Sequence, residues 1–477
     1  MYVKKSLWCV CMLIRFRVSN YLSFDESQEF TTYKGRTRNK TEHVIPSGKL
    51  SLLKFSAIYG ANASGKSNLV QAMADSQRII VTGIPSPELG KCYFKINEEN
   101  KLKPSTFEYE FEIGGAYYAY GFDVVLAEGK IVGEWLYRIS PGKNEELIFK
   151  RQPLDEEHPF EIGPKYTNQD LKTYINGMKT NTMNLFLQDI NFGKQDLFRN
   201  NPKLFPLQDA YRWFVEKLAI TMPGEHIRSL PFFLQNNYNT DLANKIIPSL
   251  GLGIETVEIR VENSENYQKI LPADVLRKIA DDAKGFVEMQ MRVSGKRPEQ
   301  LGLSLLAPHE FLILELDPGT FEIKSLKRLQ FRHAGNLHTI FDYAEESDGT
   351  RIMLNLVEVL FAAHNGSDTV FIFDELDRGL HPLLSHRFVE LFLTLSKGTT
   401  QLIATTHETH LMDLDMLRQD EIWMITKHSD GHSGIMSLDQ YNVRFDKKLA
   451  KGYLGGLYGG IPLIDTFTGL EYDEGGK

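Results

Sequence analysis

Gly60-Ala61-Asn62-Ala63-Ser64-Gly65-Lys66-Ser67 follows the apolar, β-rich run Leu52-Leu53-Lys54-Phe55-Ser56-Ala57-Ile58-Tyr59. It precedes the helix-prone stretch Asn68-Leu69-Val70-Gln71-Ala72-Met73-Ala74. Strand, glycine-rich loop and helix in that order are the setting a G-x-x-x-x-G-K-[ST] phosphate loop requires. The two glycines let the backbone curl until successive N–H groups face one anion. The helix that begins there adds the positive end of its dipole. In such a loop the lysine, here Lys66, reaches the β- and γ-phosphates, and the Ser67 hydroxyl binds Mg²⁺. An ordinary glycine-rich turn needs neither the Lys-Ser pair nor both flanks. The octapeptide therefore predicts a nucleoside triphosphate site.

A chain of 477 residues, 42% apolar and 24% charged, has the composition of a globular protein with roughly two or three domains. Its net charge of −8 excludes a protein that is basic throughout. Arg15, Arg17, Lys34, Arg36, Arg38 and Lys40 nevertheless crowd the N-terminal region. Such a cluster can track a phosphate backbone, although more often it is a solvated sheet edge. Three cysteines without metal-ligand spacing fit a reducing cytoplasm and exclude a disulfide scaffold or zinc cluster. No apolar run approaches the roughly 18–20 residues that span a membrane. Lys4-Lys5 followed by Ser6–Ile14 imitates a signal peptide but lacks a small-residue cleavage site. Met12 reads as the natural start, with residues 1–11 as an extension.

Alternating residues predict strands over Leu13–Val18 and near Glu29–Thr32, and antiparallel hairpins within residues 93–139, as in Thr106–Ile113 and Tyr117–Val124. From about 160 to 300 the pattern turns helical, as in Leu207–Ala219 and Ala273–Met291. Sustained heptads and internal repeats are lacking, which excludes a long coiled coil. Strands return at Phe311–Leu316 and Leu329–Arg332. The continuous apolar runs Thr369–Phe373 and Gln401–Thr405 then read as parallel strands covered on both faces.

Asp374-Glu375 ends the first of those runs. A phosphate-loop enzyme needs a carboxylate at the tip of a neighbouring strand for Mg²⁺, and Asp374 suits that role. Glu375, one residue nearer the γ-phosphate, can polarise the attacking water as general base. The second run leads into Thr405-Thr406-His407-Glu408, where His407 can sense the γ-phosphate by hydrogen bond. Upstream, Ser347-Asp348-Gly349-Thr350 opens another helix and hence a second anion-binding terminus. One triphosphate does not need two such termini unless the second serves another copy of the molecule.

The order Gly60–Ser67, Ser347–Thr350, Asp374-Glu375-Leu376-Asp377, His407 resembles the Walker A loop, signature, Walker B with D-loop, and H-switch of ABC-type ATPases. In wording it resembles the prokaryotic AAA-family ATP-binding proteins related to RecF, SMC and OLD ATPases, and more narrowly their abortive-infection, AbiL/RloA-like members. Phe16–Phe24, Tyr59–Asn68, Glu346–Thr350 and Tyr458-Gly459-Gly460-Ile461-Pro462 carry that likeness. The resemblance implies an α/β fold: an ABC-type P-loop ATPase head with an antiparallel β subdomain and an inserted, mainly helical subdomain. The expected division is an extension over 1–11, lobe I over 12–155, a helical insertion over 156–305, and lobe II over 306–477. It also implies ATP and Mg²⁺ as ligands and a head-to-tail dimer, open to higher oligomers. In that dimer Ser347 and Gly349 cap the γ-phosphate on the partner's loop, and Asp377 links the two sites. Two departures stand out. The signature reads Ser-Asp-Gly-Thr rather than Ser-Gly-Gly-Gln, and no glutamine is assigned to the Q-loop.

The function expected from these residues is that of a cytoplasmic, Mg²⁺-dependent ATPase switch. Lys66, Glu375 and His407 are its catalytic residues, Gly60–Asn68, Ser347, Gly349 and Asp377 bind nucleotide, and Ser67 and Asp374 hold the metal. Such a switch controls a separate effector, for instance a nuclease, in anti-phage defence. The alternative is a RecF/SMC-like repair ATPase that clamps nucleic acid. A transporter subunit is excluded by the 281 positions between Lys66 and Ser347. A nuclease within the chain is disfavoured, because only 70 residues follow His407 and Arg328-x4-His333 falls in a β-like stretch.

Overall fold

The computed structural model describes residues 10–84, 87–142, 144–224, 237–262, 271–294, 296–307, 310–441 and 449–454. Tyr458–Pro462 lies outside them.

The first sheet is antiparallel and seven-stranded. Its order is Phe160–Ile162, Glu146–Arg151, Lys130–Ile139, Ala116–Val125, Ser105–Ile113, Cys11–Ser19, Gln28–Thr31. Gly114 and Gly115, at φ +63° and +78°, make the two-residue turn that pairs Ile113 with Ala116. Positive φ at both central positions matches the twist of a hairpin, and only glycine adopts it freely. The first strand begins at Cys11, fully buried and opposite Ile113.

The central sheet has the order Leu218–Thr221, Val370–Phe373, Gln401–Thr405, Phe55–Gly60, Ile422–Lys427, Ser433–Ser437. Its first five strands run parallel and the last pairs antiparallel to its neighbour. Alternate residues face opposite ways, as a pleated strand requires. Ile58, Ile372, Ile403 and Ile425 join the core beneath the antiparallel sheet, with the helix Lys66–Thr82 and the helical residues 169–212. Tyr59, Phe371, Leu402 and Met424 join a second core with the helices Asp348–Asn365 and Pro382–Leu395. Continuous apolar runs thus arise because both faces are covered.

A third, antiparallel sheet joins Ile254–Glu262, Ile323–His333, Glu310–Leu316 and Leu301–Ala307, with Asn336–Asp342 beside Ile323–His333. The helix Ala273–Ser294 packs on it through Ile279, Ala283 and Val287. Residues 156–305 are consequently not one helical insertion. Leu218–Thr221 is an edge strand of the central sheet, hydrogen-bonded in parallel to Val370–Phe373. Ile254–Glu262 and Leu301–Ala307 belong to the third sheet. Only Leu218–Thr221, four residues paired to residues about 150 positions away, is too short to show a period of its own.

Candidate active site

The strand Phe55–Gly60 is buried along its whole length and releases the chain at Gly60. A Cβ on Gly60 would stand 2.4 Å from Ser64 Oγ and 2.5 Å from the Ile425 carbonyl, so the loop can only fold back on itself there with glycine. Ser64 N–H donates to the Ala61 carbonyl at 3.1 Å, while Asn62 and Ala63 form the exposed tip, Ala63 at φ +62°. Gly65 stands at φ +110° as N-cap of Lys66–Thr82, and no side chain caps that helix. Its first-turn N–H groups are therefore free of side-chain acceptors at the place where an anion is best stabilised.

Three residues outside the motif hold the loop in shape. Ser433 Oγ donates to the Ser64 carbonyl at 2.6 Å, and Ser433 N–H donates to the Ser23 carbonyl at 2.7 Å. Asn68 Nδ2 donates to Ser23 Oγ at 2.8 Å. Both serine hydroxyls lie 2.6 Å from where a Gly65 Cβ would be. The loop is clamped between the turn at Ser23 and the hairpin at Ser433.

Lys66 is almost fully buried and its Nζ donates to the Gly60 and Ala61 carbonyls at 2.7 and 3.1 Å. Burial lowers its pKa to about 8, against the opposing pull of Asp374, Glu375 and Asp377. Ser67 is exposed in the first helical turn. The structure thus gathers Lys66 and the acidic tip into one electrostatic unit.

That tip is organised by Thr405. Its Oγ1 donates to Asp374 Oδ1 at 2.6 Å and accepts from Glu375 N–H at 2.7 Å. Asp374 Oδ2 is buried with no hydrogen-bond partner. Glu375 sits at φ +57°, a left-handed conformation that costs a non-glycine residue energy and recurs at functional sites. Asp377 accepts the His407 N–H at 3.2–3.3 Å, which ties the ends of the two acidic- and histidine-bearing segments together within one chain. His407 itself is exposed. The strand carrying Asp374 is not the immediate neighbour of the loop strand, since Gln401–Thr405 lies between them. Order along the chain does not reveal lateral order in a parallel sheet.

Ser347 caps the helix Asp348–Asn365, its Oγ accepting from Thr350 N–H at 3.2 Å. A Cβ on Gly349 would stand 3.3 Å from the Gly379 carbonyl, so glycine lets the helix Asp348–Asn365 approach the segment after Asp377. Asp348, the departure from the signature, is exposed and paired with Arg351.

A family model described as "AAA domain, putative AbiEii toxin, Type IV TA system" matches residues 55–413. The chain belongs to this AAA-domain family. No curated protein matches it. Among solved structures it is similar to an SMC head bound to the C-winged helix domain of ScpA, at 14% identity over 90% of this chain and 99% of that one, TM-score 0.37. The SMC head domain from Thermotoga maritima gives 13%, 89%, 98% and 0.35. An Smc head with an extended coiled coil bound to the C-terminal domain of ScpA, from Pyrococcus furiosus, gives 13%, 94%, 99% and 0.36.

Membership of an AAA-domain family makes the chain an ATPase in family and fold. The donor set fits a magnesium ion: Asp374 offers one buried, unpartnered carboxylate oxygen, and Ser67 a hydroxyl in the adjoining first turn. Among the described residues no group of three or more His, Cys, Asp or Glu could hold a metal.

The basic N-terminal cluster is largely neutralised where it meets the sheet. Arg15 pairs with Glu29, Glu108 and Glu110, and Arg17 with Glu108 at 2.8 Å. Lys40 donates to the Leu414 carbonyl, and Lys34, Arg36 and Arg38 stay exposed. Arg328 and His333 lie in the strand Ile323–His333, bound to Glu262 and Glu346 at 3.1 and 2.7 Å. No helix among the described residues is long and apolar enough to cross a membrane.

Proposed function

We propose that the chain is a Mg²⁺-dependent ATP-hydrolysing switch that closes as a head-to-tail dimer and controls a separate effector, such as a nuclease, in anti-phage defence. The observation that carries the reading is the Thr405 hydroxyl, which joins Asp374 and Glu375 into one rigid acidic tip facing the uncapped helix of Lys66. Backbone N–H groups of Gly60–Ser67 bind the phosphates, and Lys66 exchanges its two carbonyl acceptors for β- and γ-phosphate oxygens. Asp374 and Ser67 hold Mg²⁺, which supplies charge neutralisation at those phosphates. Glu375 takes the proton of the attacking water. His407 registers the γ-phosphate and passes its state to Asp377 through the shared hydrogen bond.

Ser347 and Gly349 serve the partner's triphosphate, so each site needs two chains and hydrolysis releases them. The family's description names a putative toxin of a toxin–antitoxin system, which supports a role in abortive defence. The nucleic-acid clamp is the weaker reading, because Arg15 and Arg17 are already matched by carboxylates.

The test is the Glu375→Gln variant, in which ATP binds but its water is not activated. Light scattering is expected to show a monomer without nucleotide and a dimer or larger even assembly with saturating ATP-Mg²⁺. A variant that binds ATP and stays monomeric removes the composite site.

A further inference from the structure

We infer that Tyr453 is a positioning residue of the phosphate loop, and that through it the helix Leu449–Leu454 and the triphosphate site share one equilibrium. The inference rests on the triphosphate reading above and adds to it a segment far outside the spaced motifs.

The backbone at the start of the loop creates the need for such a residue. Along a parallel strand, alternate residues turn their N–H and C=O toward the same neighbour. On the side of Phe55–Gly60 that faces Gln401–Thr405, the Ile58 carbonyl takes the Thr406 N–H at 3.0 Å. The next N–H on that side belongs to Gly60, and the neighbouring strand has already ended at Thr405. A buried N–H without an acceptor costs free energy comparable to a lost hydrogen bond. The Tyr453 hydroxyl supplies the acceptor. Burial raises the pKa of that hydroxyl, and the Gly60 N–H directed at it pulls the value back. The carbonyl of Gly60 accepts from Lys66 Nζ at 2.7 Å. Both polar groups of Gly60 are thus committed, one to Tyr453 and one to Lys66.

Packing holds the hydroxyl in place. Six residues are too few to make a stable helix alone, so Leu449–Leu454 depends on what it touches. Leu449 and Tyr453, four positions apart and so on one face, are buried in the core that contains Tyr59, Leu411 and Met412. Leu411 and Met412 lie just beyond His407. The Tyr453 ring meets the Tyr59 ring edge-on, with 6.1 Å between centroids. The Tyr59 hydroxyl is buried without a hydrogen-bond partner, in the field of Asp377 and Glu408. One side chain therefore packs on the residue before the loop and holds the first N–H of the loop.

A helix this short opens locally more easily than the core beneath it. Coupling of binding to such an opening is reciprocal. ATP, by fixing the loop, holds the helix on the core, and release of the helix loosens the loop.

Calorimetry of ATP and inorganic tripolyphosphate binding to the full chain tests the assignment, with thermal melting to check that each variant folds. Tyr453→Phe keeps the ring and removes the acceptor. It is expected to weaken both ligands alike by about fivefold, to raise KM by the same factor and to leave kcat unchanged. Hydrogen exchange in peptides spanning Gly60 is expected to quicken in this variant. Leu449→Ala loosens the other anchor of the helix and is expected to weaken both ligands too. Because the two changes act through one contact, the double variant is expected to match the weaker single variant rather than multiply the losses. Parent-like affinity in Tyr453→Phe overturns the positioning role, as does a loss for ATP that tripolyphosphate does not share. Losses that multiply in the double variant overturn the shared equilibrium. A parent chain that binds neither ligand overturns the triphosphate reading itself.

Discussion

Lys66 is an ammonium group held among carbonyls, with a pKa lowered to about 8 by burial. Phosphate binding needs its charged form, so the proton must be present before the nucleotide arrives. ATP affinity is expected to be flat from about pH 6.5 to 7.5 and to fall by about tenfold per pH unit above 8. The same shift acts on folding with the opposite sign. The unfolded lysine holds its proton up to its ordinary value of 10.5, so the nucleotide-free fold gains stability between about pH 8 and 10.5. Titration with a fluorescent ATP analogue from pH 6.5 to 9.5 checks the binding half. A Kd that stays constant through pH 9.5 removes the Lys66 charge from the phosphate site. Lys66, Asp374 and Glu375 could be picked out in the sequence because each completes a spaced motif. Thr405, Ser433 and Ser23 could not, since a lone hydroxyl has no pattern and acquires its role from what the fold sets beside it.

At the start of the helix Asp348–Asn365, Ser347 caps its own first turn, and in the proposed dimer it would also meet a partner's phosphate. Aspartate caps a helix as well as serine, whereas alanine forfeits about 1 kcal/mol. A carboxylate at the same place repels a phosphate. In the Glu375→Gln background, Ser347→Asp is therefore expected to keep the thermal midpoint and lose the ATP-dependent dimer. Ser347→Ala lowers the midpoint. Melting curves and light scattering separate the two effects, and a Ser347→Asp chain that still dimerises ends the trans role. The hairpins and the two buried parallel strands could be read from period and composition, because their side chains meet one kind of surroundings throughout. Leu218–Thr221 could not be read in this way. Four residues at a sheet edge, directly after a helix, have no periodicity of their own.

The whole molecule depends on joints between sheets and helices, of which Glu134 and Arg151 form one that is fully buried. Glu134 accepts from Tyr120 and from the N–H groups of Phe186 and Leu187, at the start of the helix Phe186–Asn191. Arg151 donates to Glu134 and to the carbonyls of Met178, Asn181 and Asn184. Arg151→Met leaves the Glu134 charge buried without its partner and is expected to cost about 3–5 kcal/mol. Urea denaturation measures the loss, and a change below about 1 kcal/mol would show that the pair does not secure this joint.

The sequence by itself determined the phosphate loop, the acidic pair, the helix opened by Ser347 and the mixed α/β class. Each of these is written in residues that lie close together along the chain. The tertiary structure alone decided that Gln401–Thr405 stands between the loop and the acidic strand. It also decided that one threonine holds both acidic residues, and that the turn at Ser23 and the hairpin at Ser433 clamp the loop. These relations join residues up to several hundred positions apart. Pairing in a parallel sheet and contacts across a core leave no record in local spacing.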